Sequence, residues 1–313
     1  MNDPQNRSRG ALLGLAIGDA LGTTLEFREP GTFRQITEIV GGGPFRLKPG
    51  EWTDDTSMAL CLAESLIAWD GINLHDQAKR YIAWWKDGVN SVTGECFDIG
   101  GTVRAALETY AVTGDPKAGS TDAMSAGNGS IMRLAAVLIF YAEDGKAAVE
   151  AAAESSLVTH GAPEAVDACK LMAAMIVGLL HGKSKQEVMS LGYLEGYEGL
   201  EVASLSPAIR ELAEGSYKDM EMDEVRGTGY VVRSLEAALW SFWHSASFEQ
   251  GVVLAVNFGD DADTTGAVFG QIAGAHYGES GIPARWLDKL AWRSHITALA
   301  DQLRTHTRRG LNV

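Results

Sequence analysis

Two short clusters of acids and hydroxyls stand out in this chain: Thr53-Asp54-Asp55-Thr56 and Asp260-Asp261-Ala262-Asp263-Thr264. Each directly precedes an apolar, helix-like stretch. Carboxylates crowded in this way repel one another, and burial adds a desolvation cost, so something must compensate them. A hard divalent cation is the natural partner, because oxygen ligands suit Mg²⁺, Mn²⁺ or Ca²⁺ better than soft metals. A lone cluster of this kind reads as readily as helix N-terminal capping, since Thr and Asp cap helices and acids favour the first turn. Two in one chain, with the features below, favour a metal site.

Competing chemistries fit poorly. Asp261-Ala262-Asp263-Thr264-Thr265-Gly266 begins like an EF-hand loop, but its twelfth position is Ile272 rather than Glu. There is no HExxH pair among the seven scattered histidines, and no GxSxG elbow. The magnesium motif of isoprenoid synthases needs an acid four residues after the first, where this chain has Met58.

The elements that must carry these clusters are helical. Gly10, Gly14, Gly18 and Gly22 fall every fourth residue, as do Gly266, Gly270, Gly274 and Gly278. On a helix this spacing lays a bare stripe along one face, at a propensity cost of roughly 1 kcal/mol per Gly relative to Ala. Close helix–helix approach offsets that cost, and the two stripes can face each other. Asp19 and Glu26 from the first stretch would then converge with Asp261 and Asp263 at the start of the second.

Apolar residues recur at helical spacing after Gly101 (Val103, Ala106, Leu107, Tyr110), over Arg133–Tyr141 and over Lys146–Leu157. Pro163–Leu180 has Pro at its start and Gly182 past its end, and Val231–His244, Phe248–Phe258 and Leu290–Arg304 follow. Only Phe33–Val40 alternates as a short strand would. Two segments read as loops: Arg28–Trp52, long and rich in Gly and Pro, and Leu191–Gly199. The expectation is one all-α domain spanning residues 1–313 with a core over about 8–305, a multi-helix orthogonal bundle around a central cleft.

At 313 residues and 46% hydrophobic content the chain can bury a sizeable core. Its formal charge of −15 argues against nucleic acid or an anionic membrane as the main partner. No apolar run reaches spanning length, and Met1–Arg9 shows no signal-peptide core. Cys61, Cys96 and Cys169 are widely spaced, consistent with the reduced thiols of a cytoplasmic protein. A monomer is expected.

Taken in order, Gly18-Asp19-Ala20-Leu21-Gly22 through Glu26, Thr53-Asp54-Asp55-Thr56, Gly127-Asn128-Gly129-Ser130-Ile131-Met132-Arg133, Thr159-His160 and Asp261-Ala262-Asp263-Thr264 resemble the motifs of the ADP-ribosylglycohydrolases. They cover most of the chain, from Gly10 to about Gly278. The resemblance implies an all-α fold with two divalent cations, Mg²⁺ or Mn²⁺. It assigns Thr53, Asp54 and Asp55 to one metal and Asp261, Asp263 and Thr264 to the other, with Asp263 bridging. Glu26 matches an acidic residue on a mobile segment near the metals. Asp260 stands where relatives often have Gly, and is read as a capping or supporting residue.

The same resemblance places Ser125, Gly127, Asn128 and Gly129 at a substrate diphosphate, a role suited to N–H groups exposed at a helix N-terminus; a plain N-cap is the alternative. Asp98, with Gly100 in the same short loop, matches a position facing the guanidinium leaving group, though it could instead cap the helix after Gly101. His160 matches a histidine near ribose or adenine, against a helix C-terminal cap. Tyr230 is a candidate for stacking on adenine, against a core aromatic.

The implied activity is hydrolysis of the N-glycosidic bond between ADP-ribose and a protein side chain, arginine foremost. The distal ribose hydroxyls would sit at the metals, Glu26, Asp55 or Asp263 would handle protons, and Arg28–Trp52 would close as a lid. ADP-ribosylated protein and ADP-ribose are the implied partners. A catalytically inactive ADP-ribose binder and a metal-dependent phosphohydrolase of a nucleotide diphosphate are the alternatives.

Overall fold

The glycine stripes from the two ends of the chain face each other through the centre of the molecule. A computed structural model describes residues 3–309 as helices joined by turns, with no strand among them. In chain order the helices are α1 (Pro4–Gly22), α2 (Asp54–Trp69), α3 (Leu74–Asp87), α4 (Gly101–Thr113) and α5 (Ala135–Phe140). They continue as α6 (Gly145–Leu157), α7 (Pro163–Leu180), α8 (Lys185–Val188), α9 (Leu191–Glu195) and α10 (Pro207–Glu214). The last are α11 (Val231–Trp243), α12 (Phe248–Val256), α13 (Ala262–Tyr277), α14 (Ala284–Leu287) and α15 (Arg293–Arg309).

Helices α1 and α13 run antiparallel as the central pair. Gly10 faces Gly274, Gly14 faces Gly270 and Gly18 faces Gly266, while Gly22 meets Ala262. A Cβ at any of these glycines would land on the facing backbone carbonyl. The bare stripes therefore let two backbones touch, and dispersion across that contact offsets the propensity cost of glycine. Almost every residue of both helices is buried, so neither shows the one-sided polarity of a surface helix. Around them pack α2, α5, α7, α11, α12 and α15.

This pairing decides where the chemistry sits. Because α1 ends beside the start of α13, the chain leaving α1 (Asp19 to Glu26) meets the chain entering α13 (Asp260 to Thr264). The start of α2 closes on the same point, since both oxygens of buried Asp19 are engaged there. Asp19 Oδ1 accepts from the Thr53 N–H and hydroxyl, each at 2.9 Å, and Oδ2 accepts from the Thr56 N–H at 3.0 Å and hydroxyl at 2.6 Å.

Three local expectations change. Phe33–Val40 forms no strand, because its polar backbone bonds to the helical body: Ile36 exchanges hydrogen bonds with the Asn257 side chain. Leu191–Gly199 is a helix over its first half, α9, capped by Ser190, whose hydroxyl accepts from the Tyr193 N–H. The long Arg28–Trp52 loop is tied down rather than free to close: the Lys289 ammonium donates to Ile39 O, the Thr24 hydroxyl to Gly41 O, and the Ala291 N–H to Gly50 O. No residue from Arg28 to Trp52 lines the cleft described below.

Candidate active site

Where the three acidic segments meet, a cleft of about 550 Å³ opens, lined at one end by Glu26, Asp54, Asp98, Asp261, Asp263 and Thr264. Thr53 and Asp55 are fully buried beneath it. Carboxylate oxygens of Asp19, Asp55 and Asp263 lie within 4.8 Å of one another, and so do those of Glu26, Asp98 and Asp263. Asp263 is common to both groups. The first group draws on α1 and the starts of α2 and α13, the second on the chain just after α1, the loop before α4 and the start of α13. Thr53 Oγ1 lies 3.2 Å from Asp263 Oδ2 and 3.3 Å from Asp55 Oδ2, and the Thr264 hydroxyl 3.4 Å from the same Asp55 oxygen.

The electrostatics of this end are uncompensated. Buried Asp55 Oδ1 and Glu26 Oε2 have no hydrogen-bond partner among the described residues. Burial raises the pKa of Asp54, Asp55 and Asp263 well above the usual carboxylate range, and neighbouring carboxylates raise them further. Burial and then Asp263 and Asp98 do the same to Glu26. Asp98 is pushed up to about 6, by burial first and then by Asp261. A compact group of oxygen donors lacking counter-charge, two of them orphaned, fits hard divalent cations. Asp19 differs, since hydrogen bonds fill both of its oxygens; it anchors the start of α2.

Asp98 does not cap α4, whose N-cap is Gly100 with no side-chain bond. Its carboxylate instead joins Glu26 and Asp263. Glu26 is held there by its neighbours. Phe27, at φ 59°, and Asp260, at φ 51°, both adopt left-handed backbone. They are locked together by the Phe27 N–H donating to Asp260 O at 2.6 Å and the Asp260 N–H donating to Arg28 O at 2.8 Å. Asp260 thus acts through its backbone, not as a side-chain cap, and its positive φ explains why glycine suits this position. Phe27 is 68% exposed at the cleft edge.

The other end of the cleft is neutral. Gly127, Gly129 and His160 line it together with Gly229. A second cavity, lined by Ser125, Glu164 and Tyr230, shares Thr102, Gly127 and Gly229 with the first. The Gly127–Ser130 segment precedes a run of turns, and α5 starts only at Ala135, so these N–H groups are not those of a helix N-terminus. Asn128 is used internally: its Nδ2 donates to Asp261 Oδ2 at 2.6 Å and its backbone N–H to Gly229 O at 3.1 Å. It therefore joins the two ends of the cleft instead of offering its amide to a ligand. Among the described residues the Gly129 N–H, on the cleft wall, has no backbone acceptor, which suits it to an anion.

His160 is buried with its ring in the cleft wall, so it is no helix cap, and burial lowers its pKa to about 3. Tyr230 is 39% exposed rather than in the core, and its hydroxyl donates to Glu164 Oε2 at 2.8 Å. The Ser125 hydroxyl donates to Asp122 O at 2.6 Å. One supporting residue carries no sequence motif: buried Gln271 of α13 donates to Ile131 O at 3.0 Å and Met132 O at 2.8 Å, and accepts from Ala135 N at 2.7 Å. It fixes the turns after Ser130 to the same helix that bears Asp263. Only its place two turns after Asp263, in the apolar Val268–Ala275 stretch of α13, hints at this.

The chain resembles known proteins along almost its whole length. The ADP-ribosylglycohydrolase family model matches residues 1–311. An ADP-ribosylarginine hydrolase Tri1 of Pseudomonas putida (strain GB-1) is 46% identical over 298 residues, covering 95% of this chain and 78% of that protein. The ADP-ribosyl-[dinitrogen reductase] glycohydrolase of Rhodospirillum rubrum is 32% identical over 295 residues, covering 91% and 90%. A solved ADP-ribosylglycohydrolase-related protein complex superposes with a TM-score of 0.86 at 43% identity, covering 98% of this chain and all of that one. The chain belongs to the ADP-ribosylglycohydrolase family.

Proposed function

We propose that this protein hydrolyses the N-glycosidic bond joining ADP-ribose to an arginine side chain of a modified protein, releasing ADP-ribose. The observation that carries the reading is Asp98, grouped with the Glu26 and Asp263 carboxylates in the same cleft that Gly127 and Gly129 line. The relatives named for ADP-ribosylarginine hydrolysis support the arginine linkage. The two joined cavities suit a long ligand, with the distal ribose at the acidic end, the diphosphate at Gly127–Ser130, and adenine against Tyr230.

Two divalent cations, Mg²⁺ or Mn²⁺, fit among Thr53, Asp54, Asp55, Asp261, Asp263 and Thr264, and when bound would supply Lewis acidity at the ribose hydroxyls and at water. The chain's own groups do the rest. Asp98 pairs with the arginine guanidinium, whose planar donors match a carboxylate edge. The surrounding carboxylates stabilise the positive charge that grows at the anomeric carbon as the bond lengthens. Glu26 faces the cleft whereas Asp55 lies beneath it, so Glu26 is the group placed to move a proton between attacking water and leaving guanidine.

The test is product analysis after incubation with arginine-linked and serine-linked ADP-ribosylated protein, with Mg²⁺, Mn²⁺ or chelator. Metal-dependent release of intact ADP-ribose from the arginine linkage is expected. Release of a mononucleotide would instead indicate a phosphohydrolase, and tight ADP-ribose binding without release a non-catalytic binder.

A further inference from the structure

We propose that Arg133 and Thr159 are positioning residues that hold His160 in a single neutral tautomer, with its proton on Nε2 and aimed into the cleft. There it donates to an oxygen of the diphosphate-bearing ligand. The ligand half of this inference rests on the function proposed above; the tautomer half does not.

The chain of donors fixes the proton. Arg133 is fully buried, and its guanidinium lies 4.8 Å over the Tyr81 ring. A guanidinium can only donate. Its Nη1 donates to Gly129 O and its Nη2 to Thr159 Oγ1 at 2.7 Å. The Thr159 hydroxyl therefore accepts from Arg133, and its one proton goes to its remaining neighbour, His160 Nδ1, at 2.8 Å. With Nδ1 accepting, the ring proton of a neutral imidazole sits on Nε2. Neutrality follows from the surroundings: burial and the nearby Arg133 charge both disfavour an imidazolium.

The ring's aim follows from its contacts. A Cβ on Gly127 would come 3.1 Å from His160 Nε2, and one on Gly129 would come 2.7 Å from Cε1. Both loop glycines are thus bare where the ring edge lies, and Nε2 sits beside Gly129, whose N–H suits an anion. Arg133 serves both sides, since it also holds the Gly129 carbonyl. A donor fixed this way adds no charge to a cleft whose far end must attract cations, and it keeps its proton across the physiological range.

The test is long-range ¹H–¹⁵N NMR of the full chain, with the His160 signals assigned by their loss in His160→Gln. The expected spectrum is one tautomer, protonated at Nε2, unchanged between about pH 5 and 8. A proton on Nδ1, or a ring that titrates in this window, would overturn the proposal whether or not any variant folds. Thr159→Val should release the ring into mixed tautomers and weaken ADP-ribose binding about tenfold, measured by calorimetry. Thr159→Ser should restore both. Wild-type affinity and a single tautomer in Thr159→Val would refute the relay. Failure of the wild-type protein itself to bind ADP-ribose would refute the ligand assignment while leaving the tautomer result standing.

Discussion

At one end of the cleft, Glu26, Asp54, Asp98 and Asp263 crowd carboxylates that burial has pushed towards protonation, and two buried oxygens nearby have no partner among the described residues. At the other end, Gly129 and His160 present neutral donors whose supporting groups are already hydrogen-bonded. The acidic end as protein alone holds its carboxylates without counter-charge, and on the function proposed above it works with cations bound. The neutral end is preorganised and needs nothing but its ligand. Asn128 joins the two by binding Asp261 directly, and Gln271 joins them through α13. One cleft can therefore receive cations and a guanidinium at one end and an anion at the other without the two attracting each other's ligands.

The largest expected effect comes from removing the carboxylate common to both acidic groups. Asp263→Ala should lower ADP-ribose release by about a thousandfold or more while far-UV circular dichroism keeps its helical signal. Near-wild-type turnover in that variant would break the division of labour. Asp98→Asn keeps the shape but loses the charge facing the guanidinium. It should cost about a hundredfold in kcat/KM for arginine-linked substrate while leaving ADP-ribose affinity within about threefold. An equal loss in both readouts would make Asp98 structural.

The pH dependence of stability should also separate the two ends. The acidic carboxylates have folded pKa values above the unfolded value of about 4, so their contribution is fully present below that value and lost as pH rises through the raised pKa. For Asp98 the loss begins near pH 4 and is largely complete a little above pH 6. The Tm of chelator-treated protein should fall as pH rises from 5 to 8, measured by calorimetry, and added Mg²⁺ or Mn²⁺ should flatten the slope. His160, with a pKa lowered to about 3, acts in the opposite sense: between that value and its unfolded value of about 6.5 only the unfolded chain binds its proton, so its effect is to raise stability as pH rises to about 6.5 and to add no slope above it. The smallest effect is expected at the exposed ring of the second cavity: Tyr230→Ala should weaken ADP-ribose binding about tenfold with little change in kcat.

Much of this was legible in residue spacing. The four-residue glycine period announced the α1–α13 contact, and with it the meeting of Asp19 and Glu26 with Asp261 and Asp263. What spacing could not show was how the carboxylates divide. Asp19, Asp54 and Asp55 look equivalent in sequence, yet hydrogen bonds saturate Asp19, Asp55 is sealed beneath the cleft, and Asp54 opens onto it. For the Arg28–Trp52 loop, glycine and proline content signals irregular backbone and says nothing of what anchors it. Its anchors, Asn257 and Lys289, lie far along the chain. Gln271 acts through hydrogen bonds to Ile131, Met132 and Ala135, and Arg133 through one to Thr159, contacts between separate segments that leave no periodic trace.

The most direct test of this account is to strip the protein of metal and titrate it with Mn²⁺, following binding by calorimetry and ADP-ribose release in the same samples. Two cations per chain are predicted, with hydrolysis of arginine-linked substrate appearing only as they fill and both binding and activity lost in Asp263→Ala. Full activity in the stripped protein, or Mn²⁺ binding that Asp263→Ala leaves unchanged, would contradict it.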